Sequence, residues 1–144
     1  MKLDFTRHQL RQLAFQSIFI QLFDEELTAE LAIERALELY PRQMTDEQDV
    51  PAYLTQVVLG VSEQEEIIDA TITKHLKKWK INRIARTDLS ILRLAVYEML
   101  YLDELPAKVS LNEALELTKE FSDDESRRFV NGVLSAVMLE AEEK

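Results

Sequence analysis

Only two glycines and three prolines punctuate the 144 residues of this chain, and with so few breakers most of it has to lie in regular helix. Where the apolar residues show a period, that period is helical. From Leu10 they recur at Leu13, Ala14, Ile18 and Leu22, after a capping-box spacing of Thr6 and Gln9, which predicts a first helix from about Arg7 to Phe23. Phe15, Phe19 and Ile20 widen its apolar face so far that neighbours must cover most of it. Arg7 and Arg11, one turn apart, mark its less buried end.

Thr28 can cap a short second helix through Leu39, Pro41 fits its end, and Arg42 to Asp49 read as a loop. Pro51 opens one long amphipathic helix marked by Leu54, Val57, Val58, Val61, Ile68, Ile72 and Leu76, in which Gly60 allows a close helix contact. Beyond the Lys-rich stretch from Lys74 to Lys80, Ile81 to Ala85 form a short turn, and Thr87 can cap a helix through Leu100. Pro106 separates this from the last two helices, which the Ser110–Glu113 and Ser122–Glu125 capping-box spacings start near Leu111 and Asp123. No strand pattern competes. The expected fold is all-α, a compact two-lobed bundle of six or seven helices in a single domain spanning 1–144, with lobes at about 1–76 and 77–144.

Composition excludes whole classes of chemistry. There is no cysteine, hence no disulfide, thiolate nucleophile or Cys-held metal. His8 and His75 are the only imidazoles, and neither has a Ser and Asp spaced for a triad. Gly60 and Gly132 lie too far apart to build a phosphate-cradling loop. Helical carboxylate pairs such as Glu113 and Glu116 read as solvated surface rather than metal ligands. The expectation is a protein that is not an enzyme and has neither cofactor nor metal. The first apolar stretch, broken by Gln16, Ser17 and Gln21 and followed by Asp24, Glu25 and Glu26, is a poor signal peptide, and no run is long enough to span a membrane, so a cytoplasmic location is expected.

A net charge of -10 argues against a polyanionic partner unless cations are concentrated locally. They are: residues 1–23 carry 3 basic and 1 acidic side chains and residues 71–93 carry 7 and 1, while the intervening and following segments are strongly acidic. Each basic island is either a solvated helix face or part of a polyanion site. In particular Lys74, Lys77, Lys78, Lys80, Arg83 and Arg86 either join such a site or face acidic groups of their own chain.

The run from Trp79 to Leu100, with Leu92-Arg-Leu-Ala-Val-Tyr-Glu98 at its centre, is followed by Pro106, Val109-Ser-Leu-Asn-Glu-Ala-Leu-Glu-Leu117 and Phe129-Val-Asn-Gly-Val-Leu134. In order and spacing these segments resemble the C-terminal half of the NusB family, with a looser match around Arg11 and Phe15 to Phe19. Read as helix-core sequence, the same residues would place Gly132 for close packing, Asn112 and Asn131 for buried hydrogen bonds, and Arg93 with Glu98 in an internal ion pair.

The resemblance implies an all-helical transcription antitermination factor. Such a protein binds boxA-like single-stranded RNA together with NusE, a small-subunit ribosomal protein, within a complex that includes RNA polymerase. Of the family's arginine-rich N-terminal stretch, Arg7, His8 and Arg11 match, with Gln9 where a further base could stand and Asp4 nearby. The resemblance further implies RNA contacts at Gln16 and Phe19 on the first helix and at Ser126, Arg128 and Phe129 on the last, and a protein-partner contact at Asp88. Aromatic faces stack on unpaired bases and arginines meet phosphates. Phe19 and Phe129 also fit the apolar faces of their helices, so core packing is the competing reading for both. The competing function is a helical protein-binding scaffold with little RNA affinity of its own.

Overall fold

The computed structural model describes residues 5–39, 50–77 and 80–142. The expected loop from Arg42 to Asp49, together with Pro41, Lys78 and Trp79, lies outside them. Seven helices and no strand occur among the described residues: α1 (Arg7–Phe23), α2 (Ala29–Glu38), α3 (Ala52–Glu63), α4 (Glu65–Lys74), α5 (Arg86–Tyr101), α6 (Ala107–Phe121) and α7 (Asp124–Glu142), with a 3-10 turn at Ile81–Arg83 before α5.

The first two helices start where side-chain caps place them. Thr6 Oγ1 accepts the Gln9 N–H and the Gln9 side chain accepts the Thr6 N–H, so two orphan donors are satisfied reciprocally. Thr28 caps α2 by accepting the Leu31 N–H at 3.2 Å. The long third helix expected from the apolar period is two. Gln64 leaves helical angles (φ -107°, ψ 18°), ending α3 and starting α4. The apolar register passes through this one-residue kink unchanged, with Val61 and Ile68 both buried, so periodicity carries no sign of it.

Three helix starts are capped elsewhere than the sequence signals place them. The helix expected to open near Leu111 opens at Ala107, directly after Pro106, and Ser110 lies inside it, 1% exposed and with no partner for its hydroxyl. Before α7 the cap is Asp123, whose carboxylate accepts the Ser126 N–H at 2.8 Å, rather than Ser122. Before α5, Ala85 rather than Thr87 holds the N-cap position.

α5 is the axis of the bundle. Of the eleven positions from Asp88 to Glu98 all but Leu89 are buried, and α5 packs against α1, α3, α4, α6 and α7. A helix apolar on every side is covered on every side. One continuous core joins residues of all seven helices, from Leu13 and Ile18 through Val58, Ile72 and Leu92 to Leu117 and Leu134, with Ala29, Ile33 and Ala36 contributed by α2. Gly60 makes the expected close contact: a Cβ there would lie 2.4 Å from the Tyr97 ring. Gly132 does not, since a Cβ there would meet nothing within 4 Å, and Asn112 and Asn131 are exposed rather than buried.

Buried charges are paired differently from the expected Arg93–Glu98 bridge. Arg93 forks onto Asp69 at 2.9 and 2.8 Å and reaches Glu65 at 2.9 Å, tying α5 to α4. Glu98, 1% exposed, instead takes the Arg11 Nε at 3.2 Å and the Tyr53 hydroxyl, so α1, α3 and α5 meet at one carboxylate. The phenol is held well above its ordinary pKa, first by burial and then by that carboxylate.

Candidate nucleic-acid interface

α1 presents two different surfaces. At its N-terminus Arg7 is exposed, whereas Arg11 is 4% exposed and committed to Glu98, with its guanidinium 5.7 Å from the Tyr53 ring centroid. The guanidinium expected at RNA phosphate is thus buried and paired in the free chain. An arginine one turn further along a helix with a broad apolar face points into the bundle, and its buried carboxylate partner holds it there.

His8 is also engaged internally. Its Nδ1 lies 3.0 Å from Glu113 Oε2 and its Nε2 contacts Glu120, both on α6, while Gln12 Nε2 donates to Glu120 at 2.5 Å. Two carboxylate acceptors on two ring nitrogens are satisfied together only by the doubly protonated ring. The imidazole pKa is accordingly raised, chiefly by the hydrogen bond to Glu113 and against the opposing effect of burial.

At the other end of α1 the surface is aromatic. Phe15, Phe19 and Phe23 follow each other at four-residue spacing, with ring centroids 5.9 and 5.0 Å apart, and Phe121 at the end of α6 packs on Phe15 at 4.8 Å. Exposure rises along this row: Phe15 is buried, Phe19 is partly buried and packed on the core, and Phe23 is 60% exposed. Phe121 is 38% exposed. The guanidinium of Arg86, the first residue of α5, lies 4.7 Å from the centroid of the Phe23 ring. Gln16 is half-buried between these two surfaces.

The start of α5 connects this row to the start of α7. Asp88 accepts from the Ser122 hydroxyl at 3.3 Å and the Ser126 hydroxyl at 2.9 Å, locking the α6–α7 corner onto α5. Burial raises the Asp88 pKa, and the two serine hydrogen bonds oppose that rise. Asp88 is only 6% exposed, so its first role is internal. Around it Arg83, Ile84, Ala85, Asp123, Ser126 and Phe129 line a shallow pocket of about 250 Å³. Phe129 is half-buried there, and Arg128 is exposed beside it. The basic island after α4 divides: Lys74 pairs with Glu140 at 2.5 Å, next to His75 on the same carboxylate, while Lys77, Lys80, Arg83 and Arg86 are exposed.

The structure thus gathers Phe19, Ser126, Arg128 and Phe129 toward one end of the bundle, leaves Arg7 at the far end of α1, and turns Arg11 and His8 onto carboxylates. Phe23 and Phe121 join that end without having been singled out from sequence, and Arg86, a member of the basic island left open between a polyanion site and internal pairing, lies there too. The four-residue spacing of Phe15, Phe19 and Phe23 was a readable signal, whereas the approach of Phe121 and Arg86 depends on packing between distant segments.

Seven helices that gather exposed rings and a cation at one end define an all-helical protein with a surface suited to binding other macromolecules. The NusB family model matches residues 8–139. The transcription antitermination protein NusB of Enterococcus faecalis is 46% identical over 143 residues, covering 96% of this chain and 93% of its own. That of Bacillus licheniformis is 43% identical over 136 residues, covering 94% and 98%. Among solved structures, T. maritima NusB superposes with a TM-score of 0.78 at 26% identity, covering 99% of this chain and 100% of its own. A chain from the crystal structure of the antitermination factors NusB and NusE in complex with dsRNA gives 0.80 at 26% identity, covering 93% and 96%. This chain belongs to the NusB family, a family of transcription antitermination factors and so of a non-catalytic kind.

Proposed function

We propose that this chain is a cytoplasmic, non-enzymatic antitermination factor that binds boxA-like single-stranded RNA together with the ribosomal protein NusE, inside a complex with RNA polymerase. The observation that carries this reading is the row of Phe19, Phe23 and Phe121 with Arg86, carried on through Asp88 and its serine partners to the pocket that Phe129 lines. Rings with a free face bind unpaired bases, whereas a duplex keeps its bases stacked inside. Among the described residues no helix is long and apolar enough to cross a membrane, which agrees with a site of action on nascent transcripts.

In this reading Phe19, Gln16 and Phe129 face bases, Arg7 and Arg128 meet phosphates, and Ser126 fixes the start of α7 beneath the strand. Asp88 serves the protein partner by holding the Ser122–Ser126 corner in the shape that NusE meets. The chain acts as one domain, its lobes at about 1–76 and 77–144 held by α5. Because Arg11 and His8 are occupied by Glu98, Glu113 and Glu120, RNA affinity of the chain alone is low, and NusE supplies the remaining contacts.

Gel-shift titration with boxA RNA, with its duplex form, and with and without NusE tests this. Single-stranded boxA RNA should bind better than the duplex and more tightly with NusE present. Phe129→Ala should weaken RNA binding by about 1 to 3 kcal/mol. Equal RNA affinity with and without NusE, or RNA binding untouched by Phe129→Ala, would overturn the reading and leave the protein-binding scaffold.

A further inference from the structure

We propose that Phe23 and Arg86 form a nucleotide subsite that extends the RNA track by one unit beyond Phe19, the base stacking on the Phe23 ring and the adjoining phosphate resting on the Arg86 guanidinium. The inference rests on the RNA reading above and names a part of the site that the sequence resemblance did not supply.

Three observations lead to it. Phe23 ends the row of rings along α1 and is the most open of them, 60% exposed, although the helix has a large apolar face on which a ring could be buried. A single exposed aromatic is common, but this one continues a contiguous series in which Phe19 packs edge-on to it at 5.0 Å. Among the described residues the Arg86 guanidinium makes no ion pair with the acidic side chains that otherwise dominate the chain, and it lies over the Phe23 ring at 4.7 Å from the centroid. In a protein of net charge -10 an exposed arginine without a carboxylate is a retained positive charge. Finally, Arg86 sits two residues before Asp88, whose serine bonds carry the surface on to Phe129, so the pair is continuous with the proposed RNA surface.

The chemistry selects the occupant. With the Arg86 guanidinium over one face of the Phe23 ring, the opposite face is the stacking surface and the cation is the anion partner within one nucleotide's reach, as a base and its phosphate require, and the pair contains no base-reading donor or acceptor. The subsite therefore accepts any base, and it favours an unpaired strand over a duplex. An apolar protein partner would use the ring without needing the free charge.

The test is fluorescence titration of boxA RNA carrying 2-aminopurine at successive terminal positions, with NusE present. One position should be quenched by the natural chain and not by Phe23→Ala. Phe23→Ala should weaken RNA binding roughly 5- to 10-fold, the lower part of the range for a lost stack, and Phe23→Trp should restore it. Arg86→Gln should weaken binding and flatten the salt dependence by about 0.7 in log–log slope. Phe23 is exposed, so the thermal midpoint of each variant should stay near that of the natural chain. RNA affinity unchanged in Phe23→Ala while Phe129→Ala loses it would overturn the subsite and spare the RNA reading. Loss of NusE binding by Phe23→Ala in the absence of RNA would assign the ring to the protein partner and overturn the proposal. If Phe129→Ala also leaves RNA binding intact, the RNA reading falls and the subsite with it.

Discussion

Arg11 and Arg7 stand one turn apart on the same helix, yet one is a core residue and the other is open to solvent. What separates them is Glu98, 87 residues along the chain, and no local pattern announces a partner at that distance. Removing Arg11 leaves a carboxylate 1% exposed with only the Tyr53 hydroxyl beside it. Breaking a buried pair in this way costs about 3 to 5 kcal/mol, so Arg11→Ala should lower the urea midpoint steeply, whereas Arg7→Ala should shift it by less than about 0.5 kcal/mol. A small shift for Arg11→Ala would place its side chain at the surface after all. His8 gives a second residue-scale prediction. Its folded pKa is raised above the ordinary 6.5, so the clip to Glu113 and Glu120 contributes its full stability below about pH 6.5 and loses it as pH rises through the folded value. The difference in thermal midpoint between the natural chain and His8→Gln should therefore shrink on going from mildly acidic to alkaline buffer. A difference that grows with pH would contradict the imidazolium clip.

At the scale of elements, sequence reading succeeded where the signal is local. The Thr6–Gln9 box and the Thr28 cap fix the starts of α1 and α2 through hydrogen bonds made within three residues. It failed at Ser110 because the capping-box spacing there has another use: Glu113 is taken by His8, and Pro106 has already opened the helix. The kink at Gln64 was invisible because it preserves the apolar register. Gly60 and Gly132 show the same limit. Both lie inside unbroken helices, but only Gly60 faces a ring, and neither has positive φ. Gly60→Ala would push a methyl group into the buried Tyr97 ring, an overpacking cost of about 1 to 3 kcal/mol that outweighs a helix-propensity gain of up to about 1 kcal/mol. Gly132→Ala has only the gain. Thermal melts should move down for the first and up for the second; an increase for both would show that Tyr97 swings aside at little cost.

For the whole molecule, the decisive quantity is where the positive charge remains after the acidic chain has used what it needs. Two basic islands are legible in the sequence, but which of their cations are spent internally depends on which carboxylates the fold brings near them. Arg11, Arg93 and Lys74 are spent on Glu98, Asp69 with Glu65, and Glu140, whereas Arg7, Arg86 and Arg128 are exposed and make no ion pair among the described residues. Each phosphate neutralised on a single strand releases counterions worth about 0.7 in the slope of log affinity against log salt, so three contacts give a slope near -2. Arg128→Gln should bring that slope to roughly -1.4 and weaken all RNA sequences alike, because a phosphate contact reads no base. Arg11→Gln, measured at a temperature where it is folded, should leave the slope near -2, since the charge it removes is buried against Glu98 and holds no phosphate. Should Arg11→Gln flatten the slope as Arg128→Gln does, the N-terminal half of α1 opens when RNA binds, and the guanidinium now held in the core belongs to the RNA surface in the bound state.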